Sequence, residues 1–311
     1  MGTFADFFVR LRREKPLAAV LGIVLLLLIG VALFADVLAP FAPNKVFIMD
    51  RLQGSSARYP LGTDQLGRDL ASRLIFGARL TLGVGLAATG INVLVALIVG
   101  GVSGFIGGRL DLTVQRFVDA WMSIPGLLIL LTVMSVVGRG VLQIIVVLGV
   151  LGGIAASRVV RGAVIAAKEN VYFEAARAVG CSRWRTLVRH LLPNIVPVLI
   201  VIYSINIGAV IISEASLSFL GFGLPTTVPS WGGMLSREGR QYMEMAPRLA
   251  VWPGLCLTVV VYCLNMVGDA VRDLLDPRLR GGGGRLGAYG AKAKAAAKAE
   301  ATSSSSLKAL E

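Results

Sequence analysis

The side chains best suited to chemistry are few and scattered: one histidine, His190, and three cysteines, Cys181, Cys256 and Cys263, in a chain of 311 residues. Zinc and redox sites draw on Cys and His at close, repeated spacing, which these positions lack. Acid–base or relay work at His190 would need a fixed partner that the sequence does not identify, so it reads as a satisfied side chain. No GxxxxGK[ST] phosphate cradle occurs, so the chain has no evident means of holding ATP. The one dense constellation is EAARAVGCSRWRTLVRHLLPN, residues 174–194, which sets Arg177, Arg183, Arg185 and Arg189 around a single glycine and closes on a proline. Its chemistry is that of binding a surface.

The elements that must hold this island are apolar. The chain is 55% hydrophobic and 16% charged, outside the range of an ordinary soluble domain. Crossing roughly 30 Å of hydrocarbon takes about 20 apolar residues, and six such runs can be read: 17–38, 80–105, 117–137, 141–160, 195–212 and 249–267. The expected fold is an all-α membrane protein with six transmembrane helices. The first run resembles a secretory signal, but its apolar length exceeds that of such signals, so it reads as an uncleaved anchor. Gly100, Gly104 and Gly108, and again Gly149 and Gly153, are four apart, a spacing that lets helix backbones approach closely in lipid.

Lys and Arg placement sets the orientation. With the N-terminus inside, 21 of the 31 basic residues fall on the cytoplasmic side, in the 1–16 leader, the 107–116 turn, the island with its approach from Arg158, and the C-terminal end from Arg272 with its tail. Both termini are thus expected to be cytoplasmic. The formal charge of +13 is explained by this topology and by anionic headgroups, so nucleic acid is not an expected partner.

Within the island, residues 172–179 read as a short helix that Gly180 stops in the left-handed conformation. Ser182 can cap a second helix that places Trp184, Leu187, Val188 and Leu191 on one face and ends at Pro193. Ala175 and Ala176 leave the surface bare enough for close approach, and Glu174 offers an anchor. A lipid-facing amphipathic helix, a structural elbow and a docking element for a cytoplasmic partner all fit these residues.

Glu174, Ala175 and Ala176, followed by Gly180 and then Leu192 and Pro193, resemble the cytoplasmic EAA loop of bacterial ABC importer permeases. His190 stands where an aliphatic residue is usual, which is similar to the RHLLPN form of peptide permeases. The stretches YPLGTD (59–64), GRD (67–69), SEASLSFLGFG from Ser213, PSWGGML from Pro229 and GDAVRDLLDPRLR from Gly268 are similar to the second permease subunit of dipeptide and oligopeptide importers. The resemblance covers about residues 1–280. It implies a type I ABC importer permease fold in the bacterial inner membrane and a non-catalytic subunit whose coupling loop spans 168–193. Glu174, Ala175, Ala176, Gly180, Trp184, Arg185, Leu192 and Pro193 would contact the ATPase. The implied partners are a second homologous permease, two ATPase subunits or one two-domain equivalent carrying ATP and Mg, and an extracytoplasmic substrate-binding protein. No cofactor is expected on this chain. A nickel or other small-solute importer of the same subfamily is the alternative cargo reading, and a self-sufficient channel or ion-driven transporter is the reading from another class.

Polar residues inside the spans mark the expected pathway: Asn92, Asn206 and Glu214, with Asn265 also noted. Helix-to-helix hydrogen bonding explains the asparagines equally well. Asp119 is expected to pair with Arg116, and Pro125 to kink the third span with Ser123 satisfying the freed backbone. The extracytoplasmic segments are 39–79, whose Leu70, Leu74 and Gly77 suggest an interfacial helix, and 213–248, expected to fold as short helices and turns. Residues 80–270 form the five-helix core, 271–280 the cytoplasmic end, and 281–311 a low-complexity tail expected to be disordered and dispensable for transport.

Overall fold

The computed structural model describes residues 9, 11–236 and 240–275. The 281–311 tail lies outside them. Every regular element among the described residues is helical, with a single isolated bridge between Thr63 and Asp69. Helix α1 is Pro16–Leu33, α2 Leu70–Ile106, α3 Gly108–Met122 and α4 Gly126–Val137. They are followed by α5 Val141–Lys168, α6 Val171–Ala178, α7 Thr186–Phe219, α8 Trp231–Met234 and α9 Arg248–Leu275. Among the described residues, five helices are long and apolar enough to cross a membrane, and α3 with α4 makes a sixth crossing if the bent pair is one span.

Lipid as the outer solvent explains the side chains these helices leave bare. Val20, Ile23, Leu26 and Leu27 of α1 are all exposed, while only Ala18 and Ala32 of that helix are buried. Inside the bundle, α2 and α5 form the most extensive helix pair. Glycine permits the approach: a Cβ on Gly153 of α5 would lie 2.6 Å from Cβ of Val95, and one on Gly100 of α2 would run into the carbonyl of Ser157. The expected small-residue packing is therefore present at Gly100, Gly104, Gly149 and Gly153, whereas Gly108 starts the next helix and a Cβ there would meet nothing within 4 Å. The core has three sections, around Trp231 with Leu74 and Ile211, around Leu148 with Val84 and Val210, and around Phe173 with Val160 and Leu191.

Three expectations change. Residues 70–79 are the first turns of α2, not a separate interfacial helix. Asp69 caps that helix by accepting from the Ser72 amide at 2.8 Å, and Leu70 and Leu74 are buried in the core. The third span starts earlier and is broken: α3 begins at Gly108, and α3 and α4 meet at 90°. Pro125 removes a backbone donor at that break, and Ser123 Oγ donates to the Ala120 carbonyl at 2.7 Å, so the kink is real but sharper than expected. Pro193 does not end a helix. It sits near the start of the α-helical stretch Leu192–Phe219, behind the π-helical turn Thr186–Leu191, where its missing N–H has little to lose. The fifth span is accordingly longer than residues 195–212.

The two ends of the bundle are built differently. At one end, the 39–69 segment is tied down by a buried Asp64–Arg68 ion pair (2.6 Å), by Tyr59 donating to Asp50 (2.7 Å) and by Arg248 donating to the carbonyls of Leu52 and Gln53 (2.6 and 2.7 Å). Ser230 caps α8 there, and Trp231 Nε1 donates to the Leu74 carbonyl at 2.9 Å, so this segment holds a short helix and turns as expected. At the other end, Lys15 pairs with Asp273 at 2.7 Å, which brings the start of α1 beside the end of α9. The island is at this second end.

Candidate functional site

The island begins where α5 stops. Lys168, in its last turn, donates to the carbonyls of Gly104 and Phe105 at 3.1 and 2.9 Å, so one cation satisfies the C-terminal acceptors of α2 and fixes α5 to it. Helix α6 then turns Phe173 inward, against Val160, Val164, Leu191 and Ile195. Gly180 follows at φ +79, the left-handed value expected of it. Ser182 caps the next turn: its Oγ accepts from the Arg185 amide at 3.3 Å, and its carbonyl accepts from Thr186 Oγ1 at 2.9 Å. The chain continues without a break into α7.

What faces outward is apolar at three points. Val171 is 80% exposed, Val179 85% and Trp184 73%. Glu174, Ala175 and Arg185 are exposed with them, while the side chain of Ala176 lies outside those described. The single face expected for Trp184, Leu187, Val188 and Leu191 is split. Leu187 and Leu191 join the core, whereas Trp184 and Val188 do not, because the π-helical turn alters the repeat on which that face depended. Leu192 packs against the same core section and Pro193 is exposed. His190 sits in the π turn, its carbonyl accepting from Asn194 Nδ2 at 2.6 Å, and no group of three metal ligands exists among the described residues.

A cavity of about 730 Å³ opens among α2, the end of α3, α4, α5, α7 and the last turns of α9. Its wall is mostly aliphatic, with Asn92, Asn206, Ser213, Trp121 and Arg272 as the polar or aromatic exceptions. Asn92 is 3% exposed and its Oδ1 has no hydrogen-bond partner among the described residues. A Cβ on Gly152 of α5 would strike the Asn92 amide, so the fold reserves space for this side chain. Such a cavity is large enough for a small solute, and the Ser213 hydroxyl in its wall donates to the Ala209 carbonyl at 2.9 Å.

The structure separates the expected pathway residues. Asn92 and Asn206 line the cavity; Glu214 does not. Glu214 is 1% exposed and accepts from Ser218 Oγ at 2.8 Å one helical turn away, while its Oε2 is buried with no hydrogen-bond partner among the described residues. Asn265 lies on a different groove and abuts Gly208, a helix-to-helix contact. Asp119 has Arg116 at 3.7 Å as expected from their spacing, but its nearer partner is Arg158 of α5, which ties α3 to the core together with the bidentate Arg161–Asp111 pair (2.6 and 2.7 Å). Sequence reasoning missed Trp121 and Arg272 as lining residues. Arg272 was counted only among the charges of the C-terminal end, and the 90° break that turns Trp121 toward the cavity has no local signal beyond Pro125.

Residues 92–281 match the family described as binding-protein-dependent transport system inner membrane component, and residues 2–54 match the N-terminal TM domain of oligopeptide transport permease C. Among similar proteins is the glutathione transport system permease protein GsiD of Pectobacterium atrosepticum, 36% identical over 276 residues, covering 88% of this chain and 91% of that protein. The protein of that name from Shigella sonnei is 37% identical over 277 residues, covering 89% and 91%. The fold is similar to that of the MetNI methionine ABC transporter in inward-facing conformations, with a TM-score of 0.53 at 22% identity, covering 66% of this chain and 96% of that one. A bundle with five or six apolar crossings among the described residues accords with these matches: the chain belongs to the binding-protein-dependent transport system inner membrane component family, the multi-pass permease subunits of bacterial ABC importers.

Proposed function

We propose that this subunit forms half of an ATP-driven import pathway for small peptides and receives its drive through residues 168–193. The observation that carries the reading is the elbow itself. An outward surface of Val171, Glu174, Ala175, Val179 and Trp184 is joined through buried Phe173 to the bundle, and through an unbroken α7 to the cavity residue Asn206. In this reading Gly180, Arg185, Leu192 and Pro193 shape the elbow, and an ATPase subunit covers it. ATP and Mg reside on that partner, the elbow end faces the cytoplasm, a second permease completes the passage, and a binding protein delivers cargo to the opposite end. A peptide cargo is supported by the glutathione named for the relatives and by the oligopeptide permease match at residues 2–54. The test is reconstitution of the subunit with its partner permease, ATPases and binding protein in proteoliposomes. Labelled glutathione, dipeptides and tripeptides are expected to accumulate only with ATP and binding protein. Uptake that ignores ATP, or refusal of every peptide offered, overturns the proposal.

A further inference from the structure

Among the described residues, the cavity wall holds one charged side chain, Arg272, near the C-terminal end of α9. A cation in a last helical turn complements the helix dipole wherever it points; this one is part of the cavity lining. Arg272 makes no ion pair or hydrogen bond among the described residues, although Asp269 and Asp273 are close in sequence, and Asp273 is engaged by Lys15 at 2.7 Å. Asn92 lines the same cavity, and its Oδ1 is buried with no hydrogen-bond partner among the described residues.

We infer that Arg272 is a carboxylate receptor in the cavity and favours solutes that carry a free carboxylate beside an apolar body. An ionised carboxylate leaving water for an aliphatic wall loses hydration that only a charged donor can replace. A guanidinium does so through two parallel N–H donors, which an ammonium or an amide cannot copy. Asn92 adds a polar residue to the same wall. The aliphatic remainder accommodates the rest of the solute. An anionic lipid headgroup offers similar chemistry, so the test must separate the two sources.

This inference rests on the cavity being the cargo passage. The complete transporter, without its binding protein, is placed in phosphatidylcholine nanodiscs and titrated calorimetrically with N-acetylphenylalanine and with N-acetylphenylalanine amide. The acid is expected to bind about 10-fold more tightly than the amide, the scale of one charge-assisted contact. Arg272→Gln should bring the acid down to the level of the amide, and Arg272→Lys should keep part of the preference. Equal binding of acid and amide by the unaltered protein, or a preference that survives Arg272→Gln, overturns the assignment. Selective retention of phosphatidylglycerol without any acid preference assigns the arginine to lipid and also overturns it. Acid-selective binding in a transporter that imports no peptide sinks the peptide reading alone, whereas peptide import without acid preference sinks this one alone.

Discussion

Phe105, in the last turns of α2, and Phe173, on α6, meet edge to face, with ring centroids 6.3 Å apart and planes at 78°. This contact fastens the outward elbow to the longest helix of the bundle. Removing the Phe173 ring leaves a cavity where α2, α5 and α7 converge, a loss of about 3 kcal/mol for a buried phenylalanine. Phe173→Ala is therefore expected to lower the peptide imported per ATP hydrolysed, measured in proteoliposomes, while Phe173→Leu retains most of it. Unaltered stoichiometry in Phe173→Ala would show that the elbow does not act through this contact.

Gly180 is a cleaner probe because a Cβ there would meet nothing within 4 Å. The cost of a side chain is confined to the backbone, roughly 1–2 kcal/mol for leaving glycine at a positive φ and more for a β-branched residue. Gly180→Val should leave ATP hydrolysis running while uptake drops several-fold, and Gly180→Asn, which tolerates the left-handed region, should restore part of the uptake. Full coupled uptake in the valine variant would remove the elbow from the mechanism.

Trp231 tests the opposite end. Its indole is buried between α2 and the other helices, with Nε1 donating to the Leu74 carbonyl at 2.9 Å and Cδ1 2.9 Å from where a Cβ on Gly77 would stand. Trp231→Ala is expected to cost about 3–5 kcal/mol and to lower the thermal denaturation midpoint of the detergent-solubilised protein clearly. An unchanged midpoint would mean that the α8 region is not a structural keystone.

A pH dependence is expected just beyond α1. Arg79 donates to Asp36 at 2.7 Å, and this hydrogen bond holds the carboxyl below its ordinary value of 3.8. Because the folded value is the lower one, the contribution is complete above the unfolded value and is lost as pH falls through the folded one. The two carbonyls of Ala32 and Leu33 that Arg79 also binds do not titrate, so the loosening stays local. Hydrogen exchange at residues 34–38, corrected for intrinsic rates, should rise only below about pH 4 in the unaltered protein. In Asp36→Asn it should be raised already at neutral pH.

The membrane-spanning character and the bundle were legible because apolar length is a direct demand of the bilayer, and the turn at Gly180 was legible because few residues tolerate that φ. The interruptions were less so. Pro193 and Pro125 look alike in sequence, yet one lies inside a continuous helix and the other at a right-angle break. The difference is made by the π-helical turn before Pro193 and by the packing of α3 against Arg158 and Arg161, neither of which is local. Likewise Asn92 and Glu214 are both polar residues in spans, and only the tertiary arrangement sends one to the cavity and buries the other beside Ser218. Hydropathy reports burial from water; it does not say which neighbour does the burying.

The unbroken run from Thr186 to Phe219 is 34 residues, which at 1.5 Å per residue is about 50 Å of helix. One extremity carries the basic turn, the middle passes the solute-sized void, and the far extremity abuts the region of Trp231. A tilt of a few degrees imposed at the first therefore moves the last by several ångströms, less what the π turn and Pro197, which lies inside the helix, take up by bending.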